Sequence, residues 1–130
     1  MARLLVVCMG GFIGTGARYG MSGWVAHRFG ETFPWGTLAV NVVGSFAVGL
    51  VYFACGPDSP WVVSATTRQF LLAGLLGGFT TFSSFSIQTM TLLRDGELFA
   101  AGVNVVGSVV VGLLAAFAGD VLARALWMPR

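Results

Sequence analysis

The chain has 130 residues, of which 56% are hydrophobic and 9% charged, with 19 glycines and a formal net charge of +2. A water-soluble domain carries about a quarter of its residues as charges to cover its surface, so a soluble globular fold is excluded. No nucleic-acid partner is expected, and the apolar material must be covered by lipid.

The first apolar run starts after Arg3, is interrupted by Arg18 and resumes through Val25, which predicts a span over residues 4–25. Arg3, an apolar stretch and then small residues also fit a secretory signal, but removing it would leave three spans and strip Arg18 of its setting. The glycines of this run do not follow the G-x-G-x-x-G spacing, and no strand precedes them, so a dinucleotide loop fails on context. Their four-residue spacing (Gly10/Gly14, Gly16/Gly20, and later Gly74/Gly78) instead fits close helix packing inside a membrane. The second span is expected over 34–55, within a charge-free stretch from 32 to 57.

The third span, expected over 69–93, is charge-free throughout and long enough to cross a ~30 Å hydrocarbon layer. Its centre reads Gly77-Gly78-Phe79-Thr80-Thr81-Phe82-Ser83-Ser84-Phe85-Ser86. A glycine pair and a burst of hydroxyls at that depth survive only when buried in protein or lining a cavity. A broken third helix carrying an ion or solute site is therefore expected. The fourth span is expected over 98–119. Val40-Asn41-Val42-Val43-Gly44-Ser45 of the second span recurs in it as Val103-Asn104-Val105-Val106-Gly107-Ser108. Each copy sets an asparagine and a serine on one helix face, and asparagine is costly toward lipid, so both faces should look inward.

Cys8, Cys55 and His27 show no metal-ligand spacing, and no nucleophile–base set or carboxylate pair is present, so an enzyme is not expected. No acidic residue falls inside the four expected spans, which leaves a carboxylate proton relay without its groups. Four spans put both termini on one side. That side carries Arg3, Arg68, Arg124 and Arg130, against Arg28, Arg94 and, at the far end of the first span, Arg18. So even a balance gives the positive-inside rule little to act on, and predicts a chain that inserts both ways and pairs with an inverted copy, the logic of inverted repeats.

The inward groups, Thr37, Asn41, Thr80, Thr81, Ser83, Ser84, Asn104 and Ser108, are mainly hydrogen-bond donors. Without an embedded carboxylate, and with Arg18 in the first span, they favour an anion over a cation. Phe82 and Phe85 share a face if the helix resumes at Phe82, and aromatic ring edges carry the positive side of the quadrupole.

On Gly10–Tyr19, Pro34–Gly49 and above all Gly74–Ser86, the chain resembles the CrcB/Fluc fluoride channels over nearly its whole length. The resemblance implies an all-α membrane protein of one domain (1–130), four transmembrane helices with a broken third, forming an antiparallel dual-topology homodimer in the inner (plasma) membrane. It implies passive export of fluoride from the cytoplasm. Phe82 and Phe85 would be the pore phenylalanines, and Asn41 would offer its amide donor beside them. Ser108 and Asn104 would stand on the polar track of the fourth span, with Ser83 and Ser84 as further hydroxyls of the path. Thr37 would lie toward the vestibule and Arg18 at the mouth. Gly77 and Thr80 would lend backbone carbonyls to a central structural sodium ion. The chain departs from the pattern at Ser84, where many relatives have threonine, at Gly112, where some carry a hydroxyl, and at Gln88, where a glutamate is usual. A dual-topology small multidrug exporter is an alternative, but its coupling glutamate is missing from the first span. A membrane assembly protein with purely structural polar faces is another.

Overall fold

The computed structural model describes residues 1–128, so Arg130 of the charge balance lies outside the described residues. Every regular element is helical: α1 (Ala2–Phe29), α2 (Trp35–Ala54), α3 (Ala65–Gln69), a π-helical segment (Phe70–Leu76), α4 (Gly77–Phe79), α5 (Phe82–Arg94) and α6 (Leu98–Trp127). Four stretches are long and apolar enough to cross a membrane: α1, α2, the run Ala65–Arg94, and α6. This is a multi-pass membrane protein.

Three of the four crossings outrun the expected limits, because an end-lying arginine can keep its stem on apolar surface and its head in water. The first continues to Phe29 and stops where Gly30 takes φ 87°, a left-handed geometry that suits glycine. The third takes in Arg68 and Arg94 at its two ends. The fourth runs on to Trp127 rather than ending at 119, which makes Asp120 a helical residue. The expectation of spans free of acid is corrected there. Arg124, one turn on, donates from Nε to Asp120 Oδ2 at 2.8 Å. The same guanidinium stands 4.0 Å from Asp58 and 5.1 Å from the centre of the Phe53 ring. The carboxylate is thus held next to a cation at the helix end.

Two parallel pairs make up the bundle. Along α1, Gly10 meets Phe70 and Gly74, Gly11 meets Gly78, and Gly14 meets Leu75 and Phe79. A Cβ on Gly14 would collide with the Leu75 carbonyl, so only glycine lets the two backbones approach this closely. Along α2, Gly49 meets Ala116 and Asp120 of α6, and Gly119 answers against Phe46 and Leu50. The expected packing role thus falls to Gly10, Gly14, Gly74 and Gly78, while Gly16 and Gly20 have open space around them. Hairpins link the pairs: Gly36 of α2 packs on Ser22 of α1, and α5 turns through Asp95–Glu97 into α6. Between 11% and 28% of each crossing's most apolar window is buried within the chain, so most of the apolar surface must find lipid or another protein.

Candidate anion pathway

The third crossing is not one continuous α-helix. Phe70–Leu76 widens into a π-helix, a form that is rare and gathers at functional sites. Then the backbone leaves helical geometry altogether: Thr80 has φ −80°, ψ 157° and Thr81 has φ −150°, ψ 116°. Local chemistry explains the restart. Thr81 is the N-cap of α5, its Oγ1 accepting the Ser84 N–H at 3.2 Å, the role hydroxyl residues fill best. A tertiary contact fixes the break. Asn41 of α2 donates from Nδ2 to the Thr81 carbonyl at 2.9 Å, while its Oδ1 accepts the Thr81 N–H at 2.8 Å.

These exchanges free two oxygens from their helical duty. In an unbroken helix the Thr81 N–H would go to the Gly77 carbonyl and the Ser84 N–H to the Thr80 carbonyl. Asn41 and the Thr81 hydroxyl take those donors instead. The Thr80 hydroxyl is turned back, donating to the Leu76 carbonyl at 3.0 Å.

Two cavities flank the break. One, of about 430 Å³, lies among α1, α2 and α5 and is lined by Arg18, Tyr19, Thr37, Ser84 and Gln88 as well as Thr81. The other, of about 330 Å³, lies among α2, the break and α6, and takes in Asn41, Ser45, Phe82, Phe85 and Ser108. Thr81 is the one described residue that lines both. Among the described residues, no carboxylate lines either. The Phe82 and Phe85 rings, centroids 5.3 Å apart and tilted by 46°, form one wall of the second cavity, with Phe82 largely exposed on the outside of the chain.

The predicted site residues therefore divide. Arg18, Thr37 and Ser84 share the first cavity; Asn41, Thr80, Phe82, Phe85 and Ser108 share the second. Ser83 is exposed beside the cap, 3.2 Å from Thr81 Oγ1. Gly77 lies on the chain's outer surface and lines neither cavity. Asn104 also lines neither. It is 2% exposed and donates to Thr89 Oγ1 at 2.8 Å, so it braces α6 against α5. In the repeated Asn-x-x-x-Ser pattern, Asn41 holds the break at Thr81, Asn104 holds α5 at Thr89, and each serine lines the second cavity. Ser45 was missed as a cavity residue although the echo marked it. Gln88 reaches the first cavity with a buried Oε1 that has no hydrogen-bond partner.

Residues 5–120 match the family described as CrcB-like protein, Camphor Resistance (CrcB). Curated relatives align over nearly their full lengths. The chain is 52% identical over 126 residues to the fluoride-specific ion channel FluC of Opitutus terrae, covering 97% of this chain and 96% of that one. It is 46% identical over 122 residues to the protein of the same name from Methylocella silvestris, covering 94% and 93%. Against that of Geobacter sulfurreducens it is 45% identical over 126 residues, covering 97% and 100%. A four-crossing chain whose interrupted third crossing separates two hydroxyl-lined cavities thus shares its sequence with these proteins from end to end, and it belongs to the CrcB-like family.

Proposed function

We propose that the protein is a fluoride channel of the inner membrane that lets fluoride leave the cytoplasm down its gradient. The observation that carries this reading is the pair of cavities meeting at Thr81, lined by hydroxyls and amides with Arg18 in one, the Phe82–Phe85 pair in the other and no carboxylate in either. Fluoride is small and tightly hydrated. A path for it must replace water with several donors in series, each strong enough to admit the ion and weak enough to release it. Thr37 and Ser84 on one side, and Asn41 and Ser108 on the other, are such donors. Asn41 spends one amide hydrogen on Thr81 and keeps the second for the ion. The ring edges of Phe82 and Phe85 bridge the apolar stretch between donors, with Ser83 and Asn104 as polar neighbours of the path.

The working unit in this reading is an antiparallel homodimer of dual topology, its halves meeting at the broken third helix. The exposed Phe82 ring and Ser83 beside it support this, because a hydroxyl and a pore ring directed at lipid serve no purpose. At the dimer centre, the Gly77 and Thr80 carbonyls, deprived of their helical partners, are the oxygen ligands that a hard cation such as sodium accepts. Bound there, it would tie the two breaks together.

Fluoride efflux from liposomes loaded with potassium fluoride, followed with a fluoride electrode after adding valinomycin, tests the reading. Rapid emptying, with chloride-loaded vesicles retaining their contents, is expected. Absence of fluoride efflux, or equal fluxes of the two halides, would sink it.

A further inference from the structure

Four hydroxyls of the third crossing give their proton to the carbonyl one turn back: Thr80, Ser86, Thr89 and Thr91 do so at 2.8–3.0 Å. Ser45, in the middle of α2, makes no such bond and no other side-chain hydrogen bond among the described residues. It is half-buried and lines the second cavity together with Ser108, Phe82 and Phe85.

Ser108 is less free. Thr89 donates to the Phe85 carbonyl, so its oxygen must accept from Asn104 Nδ2, which fixes the Asn104 amide and leaves Asn104 Oδ1 facing Ser108. The Ser108 hydroxyl donates to that oxygen at 3.4 Å. Of the two serines in the cavity, Ser45 is the one whose proton is uncommitted. The facing wall leaves it room: a Cβ built on Gly112 of α6 would stand 3.7 Å from Ser45 Oγ. Gly112 thus lacks a side chain where Ser45 presents its hydroxyl.

Resting on the channel reading above, we infer that Ser45 is a further anion-binding residue of the path, donating to fluoride from α2 across the gap that Gly112 leaves open. A neutral hydroxyl on a rigid helix suits a small, hard anion that must be passed on rather than trapped. The opposing explanation is that serine is there only as a small residue for the α2–α6 contact, and alanine would serve that purpose equally.

Fluoride efflux separates the two. Ser45→Ala should conduct roughly tenfold more slowly than the wild type, the loss of one hydrogen bond to a charged species, while eluting as the wild type does on size exclusion. Gly112→Ser in the Ser45→Ala background returns a hydroxyl to the same space from the opposite wall and should recover a large part of the flux. Wild-type rates in Ser45→Ala, or a loss that Gly112→Ser does not repair, overturn the assignment of Ser45. A wild-type protein that passes no fluoride overturns the channel reading itself.

Discussion

Asn41 is the residue on which the local geometry turns. Its side chain satisfies both backbone groups of Thr81, where the chain can form neither helix nor sheet. Asn41→Leu has nearly the same volume but leaves the Thr81 N–H unpaired in a buried position, while the Thr81 carbonyl keeps the first helical bond of α5. Such an orphan costs about 1–3 kcal/mol, so the midpoint of unfolding in a denaturing-detergent titration should fall clearly below that of the wild type. Phe82 and Phe85 have the opposite character. They contribute a wall of the second cavity rather than a bond, and Phe82 is held by little within its own chain. In the channel reading, Phe82→Ile and Phe85→Ile should each abolish fluoride efflux while the protein still elutes as the wild type does. Wild-type efflux in both variants would remove the rings from the path.

At the scale of elements, the bundle is set by glycine contacts that bring backbones together without side chains between them. Gly14 of α1 lies against the Leu75 carbonyl, whereas Gly102 of α6 has nothing near the position of a Cβ. Gly14→Ala should therefore cost about 1–3 kcal/mol through overpacking, and Gly102→Ala should leave stability within about 0.5 kcal/mol, both read from detergent titrations. Equal midpoints for the two would mean that the backbones of α1 and the third crossing separate readily enough to admit a methyl group at Gly14. The four-residue glycine spacing announced such packing, but it marked Gly16 and Gly20 as strongly as Gly10 and Gly14. Spacing states that two glycines share a face; it does not state what lies opposite. The π-helical segment was not legible at all, since Phe70–Leu76 is an ordinary apolar run whose widening depends on its neighbours.

For the whole molecule, charge and coverage point the same way. By sequence, Arg3, Arg68, Arg124 and Arg130 belong toward the end of the termini and Arg18, Arg28 and Arg94 toward the other, four against three. Nothing in that balance selects an orientation. A single cysteine placed at Glu97, in protein with Cys8→Ala and Cys55→Ala, should react to about half its amount with a membrane-impermeant thiol reagent applied outside intact cells. Complete or absent labelling would show one fixed orientation and would rule out the antiparallel pair.

Composition and charge-free run length alone determined that this chain lies in a membrane and crosses it four times, because hydrocarbon penalises every charge whatever the fold. The hydroxyl burst after Gly77-Gly78 likewise marked where a helix would be hard to continue. Which polar groups face a cavity was decided by tertiary structure. Asn41 and Asn104 look equivalent in sequence, yet one borders the second cavity and the other is buried against Thr89. The repeat put Ser45 on an inward face without setting it among the expected path residues, and only the parallel docking of α2 on α6 set its hydroxyl opposite Gly112. The reason is physical: a helix period fixes which residues share a face, while the neighbour against which that face packs fixes whether a donor meets a bond or a passing ion.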